Sequence, residues 1–466
     1  MSEILFGYDG VNFTTWAYLS SLLSLALFFK FGRFWTLRNL DLLLVILLAP
    51  ALLLIKFGMN LGEDSGRSVE ELGYVWLLTV NTLLLVRMLL DPAMVRRPLL
   101  EPNLTAGGTA FLCVSLLLFL FANILKGAPG EADLFAAQRA QYLANLEASE
   151  LENSTLKKHG PGFTFLYFLP HISTQRLIGD RENADPAEQT DGAEAADGQV
   201  EQALQEAQVA DPQISPSAVI TARVMAILSQ LGIVVGVILI AARHFGAAET
   251  GLSVATFYLM LPYTAMWTGS VHHALPGALL VWAILFYRRP VLSGIFIGLL
   301  CGTIYHAVFL LPLWVTFYWR RGVVRFSSGV AGAVAVLVVT LIFTASSQEM
   351  FFARLQQMFN LQLPPMDGLA GVWGYWNAAY RWPLFALFIG LSFSFILWPA
   401  QKNLGTLLSC SAALMLGTQF WHAHSGGMAL AWYLPVLLLT VFRPNLEDRV
   451  AVEVVTRNWR PRARAA

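Results

Sequence analysis

Long uninterrupted apolar runs dominate the chain, and they leave it very few possible folds. Stretches such as 41–57, 73–90, 107–125 and 217–242 are close to the roughly 20 apolar residues that a helix needs to cross about 30 Å of hydrocarbon. Lipid cannot satisfy backbone N–H and C=O groups, so only helices or a closed barrel can span it. Continuous runs of this length select helices. Further spans fall at 13–30, 252–268, 327–345, 383–398 and 428–442, with a moderately apolar one at 403–421. The region 276–319 is apolar apart from Arg288-Arg289-Pro290 and a few polar side chains, and divides into 276–287, 291–304 and 307–319. The expected fold is all-α, a polytopic transmembrane helix bundle of about 11–13 spans with one long acidic outer loop.

Composition agrees. Charged residues make up 13% of the 466 and hydrophobic ones 56%, whereas a soluble domain carries about 25% charged residues. Thirty basic residues balance thirty acidic ones, which excludes nucleic acid as an electrostatic partner. Cys113, Cys301 and Cys410 all sit inside apolar runs, so neither a disulfide framework nor a cysteine-based zinc site is expected.

Basic residues flanking spans mark the cytoplasmic side. Lys30, Arg33 and Arg38 separate the first two spans, Arg87, Arg96 and Arg97 follow the third, and Arg243 ends the fifth. Arg288-Arg289, then Arg320, Arg321 and Arg325, then Lys402 and the tail from Arg443 to Arg464 come later. With thirteen spans and an outside N-terminus, every cluster falls on one side. The start MSEILFGYDG lacks the positive n-region of a signal peptide. This predicts a multi-pass protein of a bacterial inner membrane or plasma membrane, with its C-terminus cytoplasmic and the bilayer as its first partner.

Four regions follow from the pattern. Residues 1–125 read as an N-terminal four-span module and 126–216 as an outer loop, with 15 of the 30 acidic residues in 127–216. Within the loop, Phe163, Phe165, Leu166, Tyr167, Phe168 and Leu169 can pack, whereas 180–215 has the composition of a disordered insert. Residues 217–442 form a C-terminal multi-span module with an outer amphipathic and aromatic segment at 347–382, and 443–466 a basic cytoplasmic tail.

Counting spans brings His272, His273, His306, His422 and His424 to the outer turns of three helix pairs. An ionisable residue at membrane depth marks a functional site by default, although histidine also suits the membrane–water interface in its own right. Three turns could supply three or four imidazoles to a metal, yet none of the helical two-histidine spacings is present and no residue is assigned as a metal ligand. In the outer segment, Phe351, Leu355, Met358 and Phe359 share one helix face, so 348–361 is expected to lie flat on the membrane surface until Pro364-Pro365 stops it. Trp373, Tyr375, Trp376, Tyr380 and Trp382 then cluster around Asp367, Asn377 and Arg381. Such rings stack on sugar or prenyl groups or form an interfacial belt, and arginine can clamp a phosphate. Gly294 and Gly298 form a G-x-x-x-G that permits close helix packing.

At 288–325 the order is Arg-Arg-Pro, a helix with Ser293, Gly294, Gly298 and Gly302, a polar turn at Tyr305-His306, an apolar helix broken by Pro312, then Arg320-Arg321. Together with 254–287, this resembles the GT-C superfamily of polytopic glycosyltransferases, particularly its bacterial mannosyltransferase-like branch. The resemblance implies a transferase taking sugar from a polyprenyl-phosphate donor on the outer face, with an early outer-loop carboxylate as base or metal ligand, so a divalent metal stays open as cofactor. Members often have lysine where this chain has His306, and their aspartate lies in the loop after the first span. That loop is cytoplasmic here, which moves the expected catalytic carboxylate to Glu63 or Asp64, with Asp9 behind them. His272, His273, His306, Arg381, Trp376, His422 and His424 are then the expected substrate-binding residues. The alternative is a non-enzymatic scaffold subunit or transporter, and a third reading is a histidine-ligated metal or haem protein.

Overall fold

A computed structural model of the protein describes residues 12–94, 102–144, 162–163, 165–167, 170, 216–319, 321–344, 347–358, 369–423 and 427–444. Among these, seventeen α-helices form one bundle and no strand occurs. In chain order they are α1 Phe13–Phe28, α2 Leu37–Ile46, α3 Leu48–Leu61, α4 Glu63–Leu90, α5 Ala106–Lys126, α6 Glu131–Ala144, α7 Pro216–Ile240, α8 Ala248–Met260, α9 Pro262–Met266, α10 Val271–Leu285 and α11 Pro290–Thr303. Then come α12 Leu311–Phe317, α13 Val323–Thr344, α14 Gln348–Met358, α15 Arg381–Ser394, α16 Leu404–Thr418 and α17 Leu434–Phe442. The expected spans fall on these helices wholly or in part, the spans 307–319, 383–398 and 428–442 being only partly α-helical. Five helical stretches, Leu37–Leu61, Gly66–Ala93, Ala106–Lys126, Ser217–Phe245 and Val323–Ile342, are long and apolar enough to cross a membrane.

The outward face of α5 carries Phe111, Val114, Leu118 and Leu125, all exposed, a surface that hydrocarbon covers and water would not. Trp35, Trp319 and Trp398 are exposed beside Lys30, Arg321 and Lys402, the pairing expected at a membrane–water interface.

Two poles organise the bundle. At one, Arg87 of α4 donates to both carboxylate oxygens of Asp41 at 2.7 and 2.9 Å and to Asp91 at 3.0 Å, and Arg443, just beyond α17, reaches Asp91 at 2.6 Å. All four are buried. Two positive and two negative charges thus offset one another where neither sign alone could be buried cheaply. At the other pole, the Trp376 indole donates to Glu71 of α4 at 3.2 Å. Glu71 and Asp91 are twenty residues apart, about 30 Å along a helix and equal to the hydrocarbon thickness. Between them Tyr433 donates to Asn81 at 2.7 Å. Polar links of this kind hold helices together inside lipid, where burial alone gives little driving force.

Close packing follows the glycines. A Cβ added at Gly294 would lie 2.2 Å from the Phe326 carbonyl, and one at Gly298 would lie 2.7 Å from Ala333 Cβ, so α13 rests directly on the G-x-x-x-G face of α11. Gly62, at φ +83°, turns α3 into α4. Residues 60–72, which carry Glu63, Asp64, Glu70 and Glu71 and are expected from sequence as an outer loop, are helical except for Gly62.

The outer loop also departs from expectation by opening with a helix, α6. Its segment 162–167 packs as the aromatic residues implied: Phe163 and Tyr167 are buried, and Phe165 joins Phe351 and Leu355 of α14 against Leu337 and Leu341. The amphipathic face of α14 is therefore used by Phe351 and Leu355. Phe359, Pro364-Pro365, Asp367, Asp9, Arg96, Arg97, 180–215 and the tail beyond Pro444 lie outside the described residues.

Candidate functional site

The histidine turns meet at the pole opposite the Arg87 cluster, and local chain chemistry explains how. Within α10, Pro276 has no N–H to donate to the carbonyl four residues earlier, that of His272. Trp432 supplies the missing donor, its indole reaching the His272 carbonyl at 3.0 Å. The neighbouring Gly277 makes room: a Cβ there would lie 2.4 Å from the Ala431 carbonyl. A Pro-Gly pair in one helix thus forms the docking site for residues 430–432.

Trp432 joins two groups of side chains. On one side, the ring centroids of His306 and His422 are 4.6 Å apart, and Trp432 lies 5.8 and 5.4 Å from them. Trp421 packs 4.8 Å from His306. Its carbonyl accepts from Nε and Nη2 of the buried Arg381 at 3.2 and 3.0 Å. Arg381 opens α15, and its guanidinium lies 5.9 Å over the buried Trp373 ring. The outer segment is fastened here by Ala370 N–H to the Ala423 carbonyl at 2.9 Å. Two imidazoles, a guanidinium and large indole faces are groups suited to an oxyanion attached to an apolar or sugar-bearing body.

On the other side, His272 and His273 have ring centroids 4.3 Å apart but serve different partners. His273 bonds the Tyr263 hydroxyl and stacks on Trp267 at 4.4 Å. His272 Nδ1 lies 3.7 Å from Oδ1 of Asp133, a residue of α6 that is fully buried. Asp133 accepts from the Tyr167 hydroxyl at 3.0 Å and from the Val271 N–H at 3.2 Å.

The structure therefore brings together His272, His273, His306, His422 and Arg381, as expected from the sequence. Trp376 stands beside them on the shoulder of α4, where Arg67 lies 5.6 Å over the Tyr375 ring and Tyr74 packs against it at 6.1 Å. Burial and the hydrogen-bonded Glu70 carboxylate push the Tyr375 phenol up to about 12. Glu63 and Asp64 occupy the first turn of α4, and the backbone places Glu63 eight residues before Glu71, about 12 Å further along the helix. Their side chains, like His424, lie outside the described residues. Among the described residues no three or more His, Cys, Asp or Glu side chains are grouped to hold a metal ion.

Asp133, Tyr167, Tyr263 and Trp432 escaped the sequence reading. A signal for the first existed: Gly127, Pro129 and Gly130 precede an acidic first turn and an apolar-spaced run, the signature of a helix start. The chain matches no family model, no curated protein and no solved structure.

Proposed function

We propose that the protein is an integral membrane glycosyltransferase that uses a polyprenyl-phosphate-linked sugar at the extracytoplasmic face. The observation that carries this reading is Trp421, whose carbonyl accepts from the buried Arg381 and whose ring packs on His306, itself 4.6 Å from His422. The reaction type comes from the resemblance of 254–325 to GT-C enzymes, and the orientation from the positive-inside rule. In such a transfer the lipid phosphate leaves with negative charge developing on its oxygens. Arg381 supplies a fixed cation there, and the two imidazoles supply hydrogen-bond donors in a medium where water does not compete. Trp373, Trp376 and Trp421 offer faces for the sugar and the first prenyl units.

The test is direct. Protein reconstituted in lipid nanodiscs is given a panel of polyprenyl-phosphate sugars, with and without an added divalent metal, and sugar transfer or hydrolysis is followed. Turnover of one donor, lost in Arg381→Ala, supports the reading. Absence of turnover with every donor, with and without metal, overturns it.

A further inference from the structure

We infer that His272 is the proton acceptor of this site, with Asp133 and Tyr167 as the residues that position it. The inference rests on the transferase reading above but on a different set of side chains. Three separate pieces of chain converge on one carboxylate: α6 carries Asp133, the 162–167 segment contributes the Tyr167 hydroxyl, and the first turn of α10 contributes both the Val271 N–H and the His272 ring. Asp133 is fully buried, whereas the His272 side chain keeps 22% of its surface exposed. The exposed member of the pair is the imidazole, so the group that can meet a substrate hydroxyl is His272 and not the carboxylate.

Nδ1 of His272 lies 3.7 Å from Oδ1 of Asp133, longer than a hydrogen bond. A carboxylate at that distance favours the imidazole tautomer with its proton on Nδ1 and its lone pair on Nε2, and catalytic contacts that are long before substrate binds often tighten in the complex. Asp133 cannot drift toward any other partner, because the Tyr167 hydroxyl and the Val271 N–H already fix both of its oxygens. Trp432 donates to the backbone carbonyl of His272, and its ring lies 5.8 and 5.4 Å from His306 and His422, so this one indole links the two groups.

The acceptor hydroxyl oxygen forms a bond to the anomeric carbon while the bond from that carbon to the phosphate oxygen breaks, its electron pair leaving with the lipid phosphate. The hydroxyl proton passes to His272 Nε2. The imidazolium so formed is paired with Asp133, and the departing phosphate faces Arg381. Glu63 and Asp64 are not required.

Two independent measurements test this. In the transfer assay, His272→Ala should lower kcat by about 10²–10⁴-fold, with part of the loss restored by free imidazole. Asp133→Asn and the milder Tyr167→Phe should lower kcat while leaving KM for the donor near that of the parent. Unchanged kcat in His272→Ala overturns the assignment. The second measurement needs no turnover. Diethyl pyrocarbonate, which acylates an imidazole lone pair, should modify His272 ahead of the buried His273, His306 and His422, as read by peptide mass spectrometry on the folded, nanodisc-embedded protein. In Tyr167→Phe and Asp133→Asn the His272 rate should fall several-fold. Equal labelling of the four histidines, or a His272 rate indifferent to both variants, overturns the pair. Selective labelling without turnover of any donor would leave the pair standing and sink the glycosyl-transfer reading instead.

Discussion

The indole of Trp432 donates to the carbonyl of His272 at 3.0 Å, replacing the bond that Pro276 cannot make. The histidine turns are therefore assembled around a gap in one helix. Because the gap and its filler are separate residues in contact, substituting each alone and both together measures their coupling.

Trp432→Phe should cost about 1–3 kcal/mol of stability, the penalty for a buried carbonyl left without a donor. Pro276→Ala restores an N–H within α10, and in that background the same Trp432→Phe change should cost less. Denaturation of the four proteins in one detergent gives the coupling. Equal costs in both backgrounds would contradict the account.

Two glycine substitutions should behave in opposite ways. Gly294→Ala places a Cβ 2.2 Å from the Phe326 carbonyl and must push α13 off α11, whereas at Gly332 nothing lies within 4 Å. The first should lower the melting temperature clearly. The second should be neutral or stabilise by up to about 1 kcal/mol through helix propensity. Thermal melts followed by intrinsic fluorescence distinguish them.

Removing one member of the buried charge cluster should be far more damaging than removing a surface ion pair. Arg443→Ala removes one of the buried cations that neutralise Asp91, with an expected loss of about 3–5 kcal/mol. Added salt should leave that loss unchanged, since buried pairs are screened little. A loss that shrinks with ionic strength would place the cluster in water.

Stability at high pH should report on Tyr375. Its phenol is raised to about 12 in the fold, against an ordinary value of about 10. The folded form holds the proton more tightly than the unfolded one. The contribution is therefore complete below pH 10 and is lost as pH climbs from about 10 to about 12. Tyr375→Phe should make that dependence shallower without abolishing it, since other tyrosines are raised by burial as well, and Glu70→Gln should move the upper limit of the Tyr375 contribution down. Urea titrations across this range measure both.

Much of the architecture was legible because hydrocarbon imposes a length and a charge rule on every span. The expected spans coincide wholly or in part with helix, and His306 and His422, expected at turns on one side, have ring centroids 4.6 Å apart. What was not legible has physical causes as well. Residues 60–72 contain Glu63, Asp64, Glu70 and Glu71 and so read as an outer loop, yet a helix tolerates acidic side chains in its first turns and α4 begins at Glu63. Asp133 looked like one more charge in an acidic loop. Its role depends on Tyr167 and Val271, contacts between segments that no local pattern encodes. The Trp432 contact was foreshadowed only by Pro276-Gly277, a pair that marks a helix open on one side without naming what fills it.

The charge cluster joins parts of the chain that are far apart in sequence. Asp41, Arg87 and Asp91 lie within the first hundred residues and Arg443 some 350 residues after Asp91, so the cluster ties α2 and α4 to the chain just beyond α17 and is complete only when both ends of the bundle are in place.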